Sequence, residues 1–299
     1  MWVSYAGRYP LTATDAQLIG QVVDTARYPL TEPGGAAWNA VVADVRSELG
    51  TVGCSVLPDF IRPSLMDTVR AEGEAIAGLA YDDVEVVNAY NIAPDTPLPE
   101  DHPGAIPMER GNAFVARDLI PEGCLVHRLY TSPLLQRFVA ACVGLPAVHP
   151  LADPLAGLCL NVVAPGREHP WHFDTNEFSV SLLTRDADAG GAFEYCPNIR
   201  SAGAENLDDV RGVLTGRRED LVRRLTLRPG DLQVFLGRFS LHRVTTVRGG
   251  PARHSAIFAY SERPGVVGSV ARTKQLFGRV LPEHLAAERR AVRGDRLLD

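Results

Sequence analysis

The sequence predicts an α+β protein: a mainly helical first half, a double-sheet jelly-roll barrel in the second half, and a closing helix at the C-terminus. Three observations predict it. Up to about residue 150, apolar residues recur at helical spacing. Beyond that point they fall in short, alternating runs. Those runs are separated by Pro165-Gly166, Gly190-Gly191, Pro229-Gly230 and Gly249-Gly250-Pro251, and many short strands with Gly/Pro turns mean a sandwich or barrel. At 299 residues the chain exceeds one typical core without clearly making two. The expected organisation is a helical region over 1–150 packing on a barrel plus C-terminal helix over 151–299, as one integrated domain.

Taken in order, Thr14 to Ala26 and Ala36 to Leu49 carry helical spacing, with Gly50 ending the second. Gly53 to Phe60 reads as a short strand leaving into a turn, and Arg62-Pro63 opens a helix over Ser64 to Ala80. Val84 to Tyr90 is a strand candidate. Ile92 to Met108, rich in Pro and Asp, is a long loop, either a lid or a surface excursion. Ser132 to Val143 is an amphipathic helix. The strands expected next are Leu158 to Ala164, Phe173 to Leu183, Ala192 to Cys196, Leu225 to Leu227, Asp231 to Phe235, His242 to Val247 and Ser255 to Tyr260. Asn198 to Arg223 is a polar, partly helical insertion, Gly265 to Phe277 is extended or irregular, and Leu281 to Arg293 is the closing helix.

Composition narrows the class. The net charge is −6 with both signs interspersed, which gives no nucleic-acid footprint and no basic membrane-binding face. Five widely spaced cysteines without a CxxC argue against a disulfide framework and a structural zinc site. Met1 to Arg8 lacks the basic-then-apolar order of a signal peptide, and no apolar run approaches a membrane span, so the expected location is the cytoplasm.

The chemistry starts at His172-Phe173-Asp174. Residues two apart on a strand share a face, so His172 and Asp174 present an imidazole and a carboxylate together, the local half of a two-His-one-carboxylate iron site. The tripeptide alone is also what a solvated strand end looks like. A second histidine, His242, opens a later strand, and Arg253, Ser255 and Ile257 share a face of the strand after it. An inward guanidinium demands an anion, and Arg253 with Ser255 can bind a carboxylate.

HxD, a distal His and RxS, in this order and spacing, resemble the iron(II)/2-oxoglutarate-dependent oxygenases over roughly 155–262. The resemblance implies a double-stranded β-helix, the cupin-like form of the jelly roll. It implies His172, Asp174 and His242 as iron ligands, Arg253 and Ser255 on the distal carboxylate of 2-oxoglutarate, and Fe(II), 2-oxoglutarate and O2 as cofactors. His169-Pro170-Trp171-His172, Gly190 to Tyr195 and Pro229 to Phe235 further resemble the branch of free-amino-acid radical halogenases and their hydroxylase relatives. In those halogenases a small residue replaces the carboxylate ligand and chloride fills the vacancy. Asp174 departs from that, so hydroxylation is the expected outcome. The relatives use a histidine three residues before the first ligand on the substrate, which maps onto His169.

Other candidates rest on placement. Asn161, on a barrel-lining strand, is a candidate to hydrogen-bond 2-oxoglutarate, with the substrate or a backbone group as the alternative partner. Trp171 could stack on a substrate, Asn176 lies just past the HxD, and Glu177 would suit a substrate amine. Asn88-Ala89-Tyr90-Asn91 is polar enough to close over the site.

The reading is an oxygenase that hydroxylates an unactivated C–H bond of a free amino acid or similar small polar metabolite, with succinate as co-product. The same cofactors also serve desaturation, cyclisation or dealkylation of a natural-product intermediate. A non-enzymatic cupin-like binding protein would show a broken ligand set, and a zinc hydrolase would not need Arg253 and Ser255. The expected partner is a small-molecule substrate, with no nucleic acid and no membrane; a homodimer is compatible with the sequence.

Overall fold

The computed structural model describes residues 14–93, 96–288 and Leu297. The helical layer comes first: α1 (Asp15–Val22), α2 (Ala36–Val52), then β1 (Cys54–Leu57), α3 (Met66–Ala77), β2 (Asn112–Val115), α4 (Leu125–Thr131) and α5 (Pro133–Cys142). Local chemistry sets the ends. Thr14 and Gln17 form a reciprocal capping box at α1. Ser132 Oγ accepts from Leu135 N (3.2 Å) and Pro133 occupies the first turn of α5. α2 runs past Gly50 and stops at Gly53, whose left-handed φ of 67° lets its N–H cap Leu49 O. A Cβ there would also lie 2.8 Å from Ser240 Oγ.

The barrel strands follow: β3 (Leu158–Val163), β4 (His169–His172), β5 (Ser179–Arg185), β6 (Phe193–Cys196), β7 (Arg223–Leu225), β8 (Leu232–Phe235), β9 (Leu241–Val244) and β10 (Arg253–Phe258). They form a six-stranded sheet, order β1-β8-β5-β10-β3-β2, and a four-stranded sheet, order β7-β6-β9-β4, all antiparallel. From β3 to β6, and again from β8 to β10, the chain alternates between the two sheets. This is the double-stranded β-helix expected from the sequence.

Strand alternation divides the larger sheet cleanly. Leu158, Leu160, Val180, Leu182, Leu232, Val234, Ala256 and Phe258 point to the helices and join one apolar core with Phe60, Leu129 and Phe138. Each Val, Leu and Phe among them contributes roughly 1.5–3 kcal/mol by leaving water. Their sequence neighbours Asn161, Ser179, Ser181, Gln233, Arg253 and Ser255 line the cavity between the sheets. One face therefore holds the fold and the other carries the chemistry. A one-residue slip would exchange them.

Several expectations are corrected. Of the strand expected over Phe173 to Leu183, only the part from Ser179 is strand, in β5; Phe173 to Phe178 is the connection from β4, because the chain must cross between sheets there. Gly265 to Phe277 is not irregular. It contains helix α7 (Val270–Phe277), which buries Thr273 and Phe277 one turn apart and starts from a Ser269 cap. The loop over Ile92 to Met108 leads into a strand, Met108–Arg110, that pairs with Glu85–Val87. β2 and α4 were not expected. Asn198 to Arg223 does contain a helix, α6 (Leu207–Leu214). The closing helix is α8 (Pro282–Ala287), and its expected continuation from 289 lies outside the described residues, as does Met1 to Arg8. Among the described residues no helix is long and apolar enough to cross a membrane.

Candidate active site

His172 ends β4 and His242 sits directly opposite on β9 as a cross-strand pair. Beyond His172 the chain leaves the strand but stays held: Phe173 N donates to Ala89 O (2.9 Å) and Asp174 N to Gly237 O (3.1 Å). Phe173 is clamped, with the Arg200 guanidinium 3.8 Å from its ring centroid and Tyr90 packed on it. Asp174 Oδ1 is thereby brought 3.7 Å from His172 Nε2 and 3.6 Å from His242 Nε2. One ligand atom from each of the three lies within 4.8 Å of the others, a set that could hold a metal ion.

The hydrogen bonds prepare this set for a cation. Nδ1–H of His172 donates to Pro170 O (2.8 Å), and Nδ1–H of His242 to Ser240 O (3.0 Å). Both rings then leave an Nε2 lone pair facing Asp174, the tautomer that a metal requires. Ser179 Oγ donates to Asp174 Oδ2 (2.6 Å), which leaves Oδ1 toward the histidines. Burial, with His242 beside it, pushes His172 down to about 3, so it is neutral near pH 7. Burial pushes the Asp174 carboxyl up, but the His242 and His172 imidazoles and the Ser179 hydroxyl outweigh it and keep Asp174 ionised. Two imidazoles and one carboxylate with open positions are the non-haem iron(II) donor set.

The set lies in a cavity of about 1340 Å³ that extends to Arg253, Ser255 and Asn161. Arg253 is 4% exposed, its Nη1 donates to Ser255 Oγ (2.7 Å), and its buried Nε has no partner. Burial lowers its pKa to about 10, which still leaves a full cation. An unanswered buried guanidinium in the cavity of a metal set fits a chelating cosubstrate with a distal carboxylate. Asn161 also lines the cavity and accepts from Asn112 Nδ2 (2.9 Å).

The other sequence candidates divide. β4 steps three residues, His169 to His172, while β9 steps two, Val244 to His242. This bulge puts His169 and His172 on the same side, stacked at 3.9 Å between centroids, so His169 lines the cavity. Burial and the neighbouring His172 and His242 hold it well below the usual histidine range. The same bulge leaves Trp171 outside the cavity, buried under Arg243, whose guanidinium is 4.7 Å from its ring centroid. Asn176 lines the cavity. Glu177 is exposed and does not. Asn91 lines it too and donates to Phe173 O (3.1 Å). Sequence reasoning missed Ser179, Gly237 and the cavity face of α7. For Ser179 the available signal was its place on the inward side of β5.

Fold and site together define an iron(II)/2-oxoglutarate-dependent non-haem oxygenase. The sequence model of the Halogenase D family matches residues 38–274, and the chain belongs to that family. No curated protein matches the sequence. Among solved structures, a prolyl hydroxylase from Trichoplax adhaerens in complex with a hypoxia inducible factor peptide superposes with a TM-score of 0.51 at 14% identity, covering 75% of this chain and 90% of that one. The epimerase SnoN in complex with Fe3+, α-ketoglutarate and nogalamycin RO gives 0.50 at 14% identity, covering 74% and 84%. A 2OG-Fe(II) oxygenase family protein from Burkholderia pseudomallei gives 0.47 at 18% identity, covering 79% and 94%. The first two carry the same fold as this chain.

Proposed function

We propose that this protein hydroxylates an unactivated C–H bond of a free amino acid or a closely similar small polar metabolite. The observation that carries the reading is Asp174: a carboxylate stands beside His172 and His242, so the position at which a halide would bind already has a ligand. When bound, iron(II) with 2-oxoglutarate and O2 supplies the oxidation, one oxygen atom going to the substrate and the other to succinate as CO2 leaves. The chain's own part is positional. His172, Asp174 and His242 hold the metal, Arg253 with Ser255 and Asn161 orients the cosubstrate's distal carboxylate, and His169 and Asn176 face the substrate. Since Glu177 is outside the cavity, Asp83 and Glu85 on its rim are the carboxylates that suit a substrate ammonium group.

The test is aerobic turnover with Fe(II), 2-oxoglutarate and chloride across the free amino acids, reading succinate and product mass. The expected result is substrate-dependent succinate and a product that gains one oxygen and no chlorine isotope pattern. Absence of substrate-dependent succinate across the panel removes the amino-acid reading, and loss of two hydrogens replaces hydroxylation by desaturation.

A further inference from the structure

The cavity holds a second guanidinium, Arg272, on the first turn of α7. It is half-buried, and among the described residues its side chain has a single polar partner, the neutral amide oxygen of Gln275. Among the described residues no carboxylate lies within ion-pair distance of it, Glu85 acting on it only from farther off. Its charge is felt at His169 and His172, and Asp174 is felt at Arg272 in turn, so it stands on the metal side of the cavity. Asp174 itself is engaged by Ser179 and faces the two histidines.

Two features fix Arg272 in place. Ser269 caps α7 by accepting from Arg272 N (3.2 Å). Arg110, 2% exposed, reaches across from the Met108–Arg110 strand and donates Nη2–H to Gln275 O (2.8 Å). Arg110 also adds positive charge beside Arg272, and burial together with that charge lowers Arg272 to about 10, which still leaves it cationic. Ser269 and Ala271 of the same turn line the cavity, and the N-terminal end of a helix favours an anion.

The charges then decide what is missing. Iron(II), the Asp174 carboxylate, the 2-oxoglutarate dianion and the Arg253 guanidinium sum to zero, and His169 is neutral. Arg272 leaves the loaded cavity with one net positive charge. 2-Oxoglutarate has one distal carboxylate, and Arg253 takes it. Of the remaining charged groups among the described residues, Asp83 and Lys274 are exposed at the rim, where screening weakens them, and the half-buried Glu85 lies 3.9 Å from the Arg110 guanidinium, which offsets it. A partly buried cation that no carboxylate answers favours an anion of its own.

We propose that Arg272 is the anchor for a carboxylate of the primary substrate, so that the cavity selects a free carboxylic acid over its amide. This rests on the oxygenase reading above and sharpens its substrate class. The cavity volume allows it, since small-ligand pockets run from about 300 to 1,000 Å³ and this one exceeds that range, leaving room for cosubstrate and acid together.

The experiment measures binding rather than turnover. Wild type, Arg272→Gln and Arg272→Lys are loaded anaerobically with Fe(II) and 2-oxoglutarate, and formation of the chelate's visible band confirms that each is folded and loaded. Each free amino acid and its carboxamide is then titrated in while the band is followed. The expected result is that at least one free acid perturbs the band in wild type and its carboxamide does not. Arg272→Gln weakens that acid by roughly 30-fold or more, and Arg272→Lys recovers part of the loss. A carboxamide that binds as well as its acid, or an acid indifferent to Arg272→Gln, overturns the proposal while leaving the amino-acid reading standing. A band that no free acid perturbs overturns both and leaves the oxygenase class intact.

Discussion

Gly237 and the Asp174 carboxylate share a space too small for one more carbon. A Cβ on Gly237 would lie 1.9 Å from Asp174 Oδ2, while the Gly237 carbonyl accepts from Asp174 N (3.1 Å). Gly237→Ala must therefore displace the carboxylate from the histidines. The expected outcome is a loss of about 10–100-fold in Fe(II) affinity by equilibrium dialysis, the range for groups that orient metal ligands. Ser179→Ala, which frees Asp174 Oδ2 without a clash, is expected at the lower end, about 10-fold. Unchanged affinity in both would mean that Asp174 does not need this support. These two residues were hidden in the sequence for a plain reason. His172, Asp174 and His242 are visible because imidazoles and a carboxylate at strand spacing are chemically unusual. Gly237 and Ser179 matter only through the volume and oxygen they present to a residue on another element.

At the scale of elements, the bulge in β4 does what ideal alternation could not. In a regular strand His169 would share a face with Trp171; with three residues opposite two it joins His172 instead. Pro170 is tolerated because β4 is the edge strand of the smaller sheet. Alternation was legible across the larger sheet, where Arg253 and Ser255 point inward as expected. It failed at β4 and at the Phe173–Phe178 crossing, where register depends on the partner strand. α7 was missed because Thr273 and Phe277 are its only buried residues, too short a stripe to read as a helix.

The junction of α3 and α4 carries a pH prediction. Glu72 Oε2 accepts from Leu125 N (2.8 Å) at the start of α4, and burial raises its carboxyl from 4.5 to about 7. The folded state thus holds a proton that the unfolded state releases between these values. Its contribution is complete below pH 4.5 and is lost as pH rises through about 7. Glu72→Gln keeps an acceptor for Leu125 and removes the titration. The expected outcome is that the variant's Tm falls less than that of wild type between pH 5 and pH 8; equal slopes would remove Glu72 as the cause.

At the scale of the whole molecule, the sequence divided the chain at about residue 150 by texture, helical before and strand-rich after. The larger sheet crosses that line: β1 pairs with β8 and β2 with β3, so both of its edges come from the first half. Those edge strands were hard to read because they are short and flanked by helical sequence. A sheet shared across that line means that a 151–299 fragment leaves two sheet edges unpaired and the Val180, Leu182, Leu232 and Val234 face uncovered. The fragment is expected to aggregate or to lack fixed near-UV circular dichroism, and a cooperative, soluble fragment would contradict that. The same two-sided sheet lets one face be mainly apolar, with Thr184 and His254 set against α3, while the other presents Ser, Gln, Asn and Arg to the metal set.

The central claim is that His172, Asp174 and His242 hold iron(II) while Arg253 holds the far end of 2-oxoglutarate. The most direct measurement is anaerobic addition of Fe(II) and 2-oxoglutarate to wild type, Asp174→Ala and Arg253→Ala, watching for the weak visible charge-transfer band of the chelate. The account predicts a band in wild type that is weakened or lost in both variants. A folded wild-type protein with no band would contradict it.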